Sequence, residues 1–358
     1  MCSSDLASGN VVVAGDFWGR ADFGTGPLTA VTNQFGTTLD MFVAKYSSSG
    51  TPIWSRSMGG GATDTVAGVT VDGNGDVVLT GYFQNTADLG GGTLTSGPLG
   101  GFSSVVAKYA SANGAFQWAK NFPATADNYG TGIAVDASNN ILMAGSFSGK
   151  INYGGGDLQS AGFSDIGILK LSSAGSYIWS MRFGGVSGDS PTGVAVDHNG
   201  DVVVTGGFHE TMPVGTTTLT SAGYEDIFLM KLRGTDGVPQ WAERFGGAAN
   251  DDEGKQLAVD TNNNIVLTGT FMVSASLGGS TFVGAGGTDI FVAKYSTAGG
   301  HLWSKQFGGT ENDAGLGVAV DGGNNVRMVG KFRATASFGT TPLTSAGSDD
   351  GVIVGLTP

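Results

Sequence analysis

A tryptophan followed a few residues later by a glycine pair returns along this chain at a nearly constant interval. Trp54, Trp118, Trp179, Trp241 and Trp303 stand 64, 61, 62 and 62 residues apart. The glycine pair follows in four of the five copies, at 59–60, 184–185, 246–247 and 308–309, and Phe122-Pro123 replaces it in the second. Three further segments keep step with it. Strand A ends in Asp72, Asp136, Asp197, Asp260 or Asp321; strand B, of the type NVVLTGxF, ends in Phe17, Phe83, Phe147, Phe208, Phe271 or Phe332. Strand C reads DIFVAKY at 289–295 and recurs at 40–46, 104–109, 165–171, 226–232 and, decayed, 350–356; the tryptophan segment is strand D. One unit of four short strands, rewritten about every 62 residues, can bury its apolar faces only against its own copies.

The runs are four to eight residues long and rich in Val, Ile, Phe and Tyr, as strands require, and nothing sustains a helical period. Segments such as FVAKY and VVLTG are apolar on both faces, whereas a sheet with one face in water alternates. Stacking of four-stranded antiparallel sheets, each covered by its neighbours, describes an all-β β-propeller. Six repeat units are visible, the first and last incomplete. The combination of FGG, GVAVD, NVVLTGxF, LTSAG and DIFVAKY resembles the bacterial seven-bladed β-propeller (SBBP) repeat, in the form frequent in myxobacterial surface proteins, over roughly residues 10–356. That resemblance implies a propeller and an exported, extracellular or cell-surface bacterial setting, and no established reaction.

No linker interrupts the repeat, so residues 10–358 read as one propeller domain, with blades at about 10–60, 64–122, 127–185, 189–247, 252–309 and 313–356. Residues 1–9 do not match the repeat and suggest a truncated start without an export signal. The chain then begins at strand B and stops at strand C. The first blade is therefore expected to lack its A strand and the last its D strand, with unpaired edges open to edge-to-edge self-association and lower stability. The 64 glycines punctuate the strands as turn residues. Net charge is −13, from 30 acids and 17 bases, which argues against a nucleic-acid partner. The single cysteine, Cys2, rules out an intrachain disulfide. No apolar stretch is long enough for a membrane span.

Three features could carry chemistry. The first is the residue eight before the strand-A aspartate: Asp64, Asn128, Asp189, Asp252 and Asp313. One carboxylate or amide per blade on the D–A turn could gather around a cation such as Ca2+, or each could cap its own turn. The second is D-x-N-x-D at Asp72, Asn74 and Asp76, echoed at Asp197, Asn199 and Asp201. It matches half a calcium loop but lacks the distal Glu, and it also reads as an A–B hairpin turn. The third is the residue after each strand-B Phe: Trp18, Gln84, Ser148, His209, Met272 and Arg333. Here the copies disagree within a constant frame, so these side chains could line an asymmetric site for a protein or glycan ligand on the face where B–C and D–A connections emerge, or could be plain surface variation. The strand-D tryptophans and the strand-C lysines (Lys45, Lys108, Lys170, Lys231, Lys294) read as structural. His198, His209 and His301 fall at unrelated points of the repeat, and no catalytic triad or metal-spaced cluster assembles; His209-Glu210 is the one local acid–base pairing. The chain thus reads as a non-catalytic binding scaffold. A Ca2+-dependent hydrolase or lactonase-like propeller enzyme, and a structural spacer of a larger surface protein, are the alternatives.

Overall fold

The computed structural model describes residues 2–5, 9–34, 36–98, 100–248, 251–339 and 342–357, with main chain only for 2–5. The readings on Met1, Leu6 and the Cys2 thiol lie outside these residues. Every regular element among them is a β-strand, and the chain forms two compact units, Met1–Arg182 and Phe183–Pro358.

The first unit holds three four-stranded antiparallel sheets in the order A-B-C-D: Cys2–Asp5, Val11–Trp18, Leu39–Tyr46 and Pro52–Met58; Asp64–Val71, Val77–Gln84, Phe102–Tyr109 and Phe116–Phe122; Asn128–Val135, Ile141–Phe147, Asp165–Leu171 and Tyr177–Phe183. The second repeats the arrangement with Asp189–Val196, Val202–Val214, Thr217–Leu232 and Pro239–Phe245, and with Glu253–Val259, Ile265–Ala275, Phe282–Tyr295 and His301–Gly309. Its last blade has Ala314–Val320, Val326–Ser337 and Pro342–Leu356. The fold is the expected all-β series of four-stranded propeller blades. One strand count changes: Cys2–Asp5 pairs antiparallel with strand B, Cys2 opposite Ala14 and Asp5 opposite Val11, so the first blade has an A strand that the sequence concealed. The pairing is made by main-chain groups, which any residue supplies. In the last blade strand C pairs with strand B alone, leaving its outer edge unpaired within its unit.

Both faces of strands B and C are buried, as their composition requires. In the second blade Leu79 and Val105 pack with Val12, Met41 and Val43 of the first, while Val78 and Val106 pack with Ile141, Met143 and Leu169 of the third. In the fifth, Leu267 and Phe291 meet Val203 and Leu229, and Val266 and Val292 meet Met328 and Val354. Each such side chain contributes roughly 1.5–3 kcal/mol of burial.

Polar links join neighbouring blades. The indole N–H groups of Trp54, Trp118 and Trp241 donate to the carbonyls of Ser111, Ser173 and Thr297 in the C–D turn of the following blade. The strand-C lysines are buried and paired: Lys108 with Asp72 at 2.7 Å, Lys170 with Asp136 at 2.8 Å, Lys231 with Asp197 at 2.6 Å and Lys294 with Asp260 at 2.8 Å. The D-x-N-x-D segments are the tight hairpin turns beneath these lysines. Asp72 Oδ1 accepts the N–H groups of Asn74 and Asp76, and Asp197 Oδ1 those of Asn199 and Asp201. A lysine ammonium thus stands where a calcium loop would place its ion.

The B–C excursions are the small extra hairpins their apolar positions suggest. Separate ladders pair Arg20–Asp22 with Pro27–Thr29, Thr86–Asp88 with Thr93–Thr95, and Lys150–Asn152 with Asp157–Gln159. In the second unit they run on from strands B and C, through a bulge two residues past the strand-B Phe. That bulge residue has positive φ in every blade: Gly19, Asn85, Gly149, Glu210, Val273 and Ala334.

Candidate functional site

The aspartates eight residues before the end of strand A lie where strand A begins, beside the end of strand B: Asp64 pairs with Phe83, Asn128 with Phe147 and Asp189 with Phe208. All five positions, Asp64, Asn128, Asp189, Asp252 and Asp313, are buried, at most 1% exposed. One oxygen accepts the N–H of the second glycine of the preceding Gly-Gly: Gly60 to Asp64 at 2.6 Å, Gly185 to Asp189, Gly247 to Asp252 and Gly309 to Asp313 at 2.7 Å. The other accepts the N–H of the residue after the strand-B Phe: His209 to Asp189 at 3.2 Å, Met272 to Asp252 at 2.9 Å and Arg333 to Asp313 at 3.0 Å. The carboxylates of Asp189, Asp252 and Asp313 are thus clamps that fix the D–A turn and the start of the B–C excursion against each other.

The glycine pair is what lets this clamp close. The first glycine has φ of +152°, +148°, +135° and +146° at Gly59, Gly184, Gly246 and Gly308, a region that side chains disfavour. At the second, a Cβ would lie 1.8 Å from the Thr86 carbonyl oxygen at Gly60 and 1.9 Å from that of Thr211 at Gly185. The second blade shows the converse. Pro123 and Ala124 stand where the other blades have the glycine pair, and the residue at the clamp position is an amide: Asn128 accepts from Ser104 N–H at 2.8 Å and donates to the Phe102 carbonyl at 3.3 Å.

The aspartate that opens strand C faces the clamp across the first glycine. A Cβ on Gly246 would lie 2.6 Å from Asp226 Oδ1 and 2.9 Å from Asp252 Oδ2. Burial, reinforced by the neighbouring carboxylate, pushes Asp64 and Asp252 up to about 7. The strand-C aspartate in turn caps the excursion that precedes it: Ala161, Ala222, Ala285 and Ala346 donate N–H to Asp165, Asp226, Asp289 and Asp350. This explains the LTSAGxxD spelling. Among the described residues no three His, Cys, Asp or Glu side chains gather as a metal site. Main-chain donors engage both oxygens of Asp189, Asp252 and Asp313 and one oxygen of Asp64.

Against this fixed frame stand the variable positions. Trp18 is 70% exposed. Gln84 and Met272 are half-buried, opposite Phe102 and Thr288. His209 bonds the Gly188 carbonyl of its D–A turn through Nδ1 at 2.6 Å and stacks edge-on against Tyr224 at 4.7 Å. Its acidic neighbour is Glu225, directly across the ladder, and not Glu210, which occupies the bulge. Burial and then the charges of Glu253 and Asp251 push Glu225 up to about 7, against the pull of His209 and Lys255. Arg333 pairs with Asp349 at 2.8 Å. Exposed apolar side chains also stand on B–C and D–A connections: Phe163 in the first unit, and Val186, Tyr224 and Val283 in the second. Sequence reading missed Tyr224 and Glu225. The one signal was the register: Phe208 opposite Asp226 puts His209 opposite Glu225.

The fold and this loop face define a repeat protein built of β-propeller blades. No family model matches the chain. It is similar to a WD repeat-containing protein (L264) of Acanthamoeba polyphaga mimivirus, 23% identical over 389 residues, covering 85% of this chain and 27% of that protein. It is also similar to the regulatory protein FlaEY of Caulobacter vibrioides, 27% identical over 213 residues, covering 55% of this chain and 22% of that protein. The chain thus spans about a quarter of the length of these relatives. Among solved structures it is similar to the Dos1 propeller, with a TM-score of 0.45, 7% identity and coverage of 99% of this chain and 91% of that one. BamB from Moraxella catarrhalis has a TM-score of 0.36 and 12% identity, covering 91% and 92%. A glucose dehydrogenase has a TM-score of 0.43 and 9% identity, covering 89% and 93%. The fold itself rests on the strand pairing above. No helix among the described residues is long and apolar enough to cross a membrane.

Proposed function

We propose that the chain is a non-catalytic interaction scaffold of SBBP type, displayed outside a bacterial cell, which recognises a protein or glycan through its B–C and D–A loops. One observation carries this reading. In each blade of the second unit the main chain at the residue after the strand-B Phe is held by a buried aspartate, at His209, Met272 and Arg333, while the side chains differ. A rigid frame that presents unlike side chains is how a recognition surface gains specificity without ordering cost on binding. The exposed Trp18, Phe163 and Tyr224 add rigid aromatic area of the kind that dominates binding energy. The net charge of −13 favours basic or neutral partners.

The test is a peptide and glycan array probed with the chain and with two loop-face variants, Trp18→Ala/Phe163→Ala and Tyr224→Ala/Arg333→Ala. A binder lost or weakened at least about tenfold in one of them, with melting unchanged, supports the reading. Binders that both variants retain in full would place recognition elsewhere. A Ca2+ contribution would require an ion to displace main-chain donors from Asp64, Asp189, Asp252 or Asp313, and it is tested separately below.

A further inference from the structure

Strand D carries an arginine just before Phe-Gly-Gly in the third and fourth blades, and both arginines reach the aspartate that opens strand C. Arg182 Nη1 lies 2.9 Å from Asp165 Oδ2, and Arg244 Nη1 bonds Asp226 Oδ2. The fifth blade keeps the aspartate and its cap, with Ala285 N–H donating to Asp289 Oδ2 at 2.9 Å. It lacks the arginine. Gln306 pairs with Phe291 as Arg244 pairs with Phe228, and its amide turns to the Val283 carbonyl at 3.1 Å. Beside Asp289 lies a cavity of about 390 Å3, lined by Ala285, Lys305, Gln306, Gly308 and Ser337. That size is within the range of small-ligand pockets.

We propose that this cavity receives a guanidinium group from a partner: the arginine side chain of a protein or peptide takes, in trans, the place that Arg182 and Arg244 fill in their own blades. The proposal rests on the loop-face reading and names the chemistry of the partner. Asp289 is only 2% exposed, so its charge is presented through the cavity and not to open water. Burial and the nearby Asp313 push its carboxyl up to about 6, which leaves it ionised at neutral pH. The planar fork of a guanidinium suits a carboxylate that also accepts a main-chain N–H, and an ammonium matches that geometry less well. The first blade also lacks the arginine, with Ser57 at its place opposite Phe42. There Asp40 is closed off, since Thr38 Oγ1 bonds one oxygen at 3.1 Å and Val31 N–H the other at 3.0 Å. The fifth blade combines the aspartate, the missing arginine and a lined cavity.

The experiment titrates the full chain with a capped Gly-Arg-Gly peptide and its citrulline twin, following the amide resonances of Ala285 and Gly308. The expected result is saturable binding of the arginine peptide at least about tenfold tighter than of the citrulline peptide. Gln306→Arg, which restores the residue of the sister blades and so keeps the fold, should abolish it. Equal binding of the two peptides, binding unaffected by Gln306→Arg, or binding that emerges only in Lys305→Ala because the lysine occupies the cavity in the natural chain, each overturns the proposal. An array partner lost in Tyr224→Ala/Arg333→Ala but kept by Gln306→Arg overturns the guanidinium pocket alone and leaves the loop-face reading standing.

Discussion

Stability should rise as the pH falls from about 8 to about 5.5, opposite to the behaviour of salt-bridged carboxylates. Asp64 and Asp252 are pushed from an ordinary 3.8 to about 7, and Glu225 from 4.5 to about 7, in each case chiefly by burial. A carboxyl whose folded value lies above its unfolded one takes up a proton on folding throughout the interval between the two. Its favourable contribution is complete below the unfolded value and is lost as the pH climbs toward the folded one. Each group supplies at most about 1.4 kcal/mol per pH unit. Asp64 and Asp252 are buried and Glu225 is half-buried, and relaxation and water penetration around such carboxyls take away roughly half of that. Over about two pH units the three together give roughly 4 kcal/mol, an upper-end figure that a urea series at several pH values resolves. Glu225→Gln offers an internal control, because the amide keeps the shape over Gly207 and removes the titration. It should take away about a third of the slope. At the acid end the trend reverses. Burial works against ionisation of Asp136 and Asp260, yet Lys170 and Lys294 hold both carboxyls below their ordinary value. The stability of those pairs is present above about pH 4 and disappears below it. A midpoint that is flat or climbs between about pH 5.5 and 8, or a slope untouched in Glu225→Gln, would refute the account of the buried carboxylates.

Further outcomes follow from single contacts. Val273 holds a β-branched side chain at φ +63° in an exposed bulge where two sister blades use glycine; Val273→Gly should raise stability by about 1 kcal/mol in urea unfolding, and a loss would mean the bulge is not strained. Lys231→Ala strands the buried Asp197, 2.6 Å from the ammonium, and should cost about 3 kcal/mol or more, as read by thermal melts. Gly247→Ala puts a Cβ 1.9 Å from the Ser274 carbonyl oxygen; it should break the bridge between Gly246 and Ser276 and lower stability by several kcal/mol, to roughly 3. Millimolar Ca2+ against EDTA should leave the melting midpoint unchanged, because Gly60, Gly185, Gly247 and Gly309 already donate to the candidate carboxylates. A rise of a few degrees that Asp64→Ala/Asp189→Ala removes would restore a cation site.

The blades were legible because their strands are apolar on both faces, a pattern that only face-to-face stacking satisfies, and Val78 and Leu79 do divide between two cores. The first A strand was not legible, because Cys2–Asp5 joins its sheet through main-chain pairing that imposes no side-chain pattern. The clamp was half legible. Its aspartate and its glycines were visible as recurring letters, but nothing along the chain says that the second glycine lies under a carbonyl of the next excursion. That contact arises only when blades stack. The loop face was the least legible, for a related reason. Repetition exposes what the copies share, and what they share is packing. The residues proposed for recognition are single departures from the repeat, such as Gln306 where Arg182 and Arg244 stand. One departure looks like drift until the structure shows that its aspartate partner is still in place and that a cavity lies beside it. In a repeat fold, then, a frame residue retained after its in-chain partner has been lost is a stronger pointer to a binding site than a variable residue alone. The retained residue carries a desolvation cost that a ligand would offset.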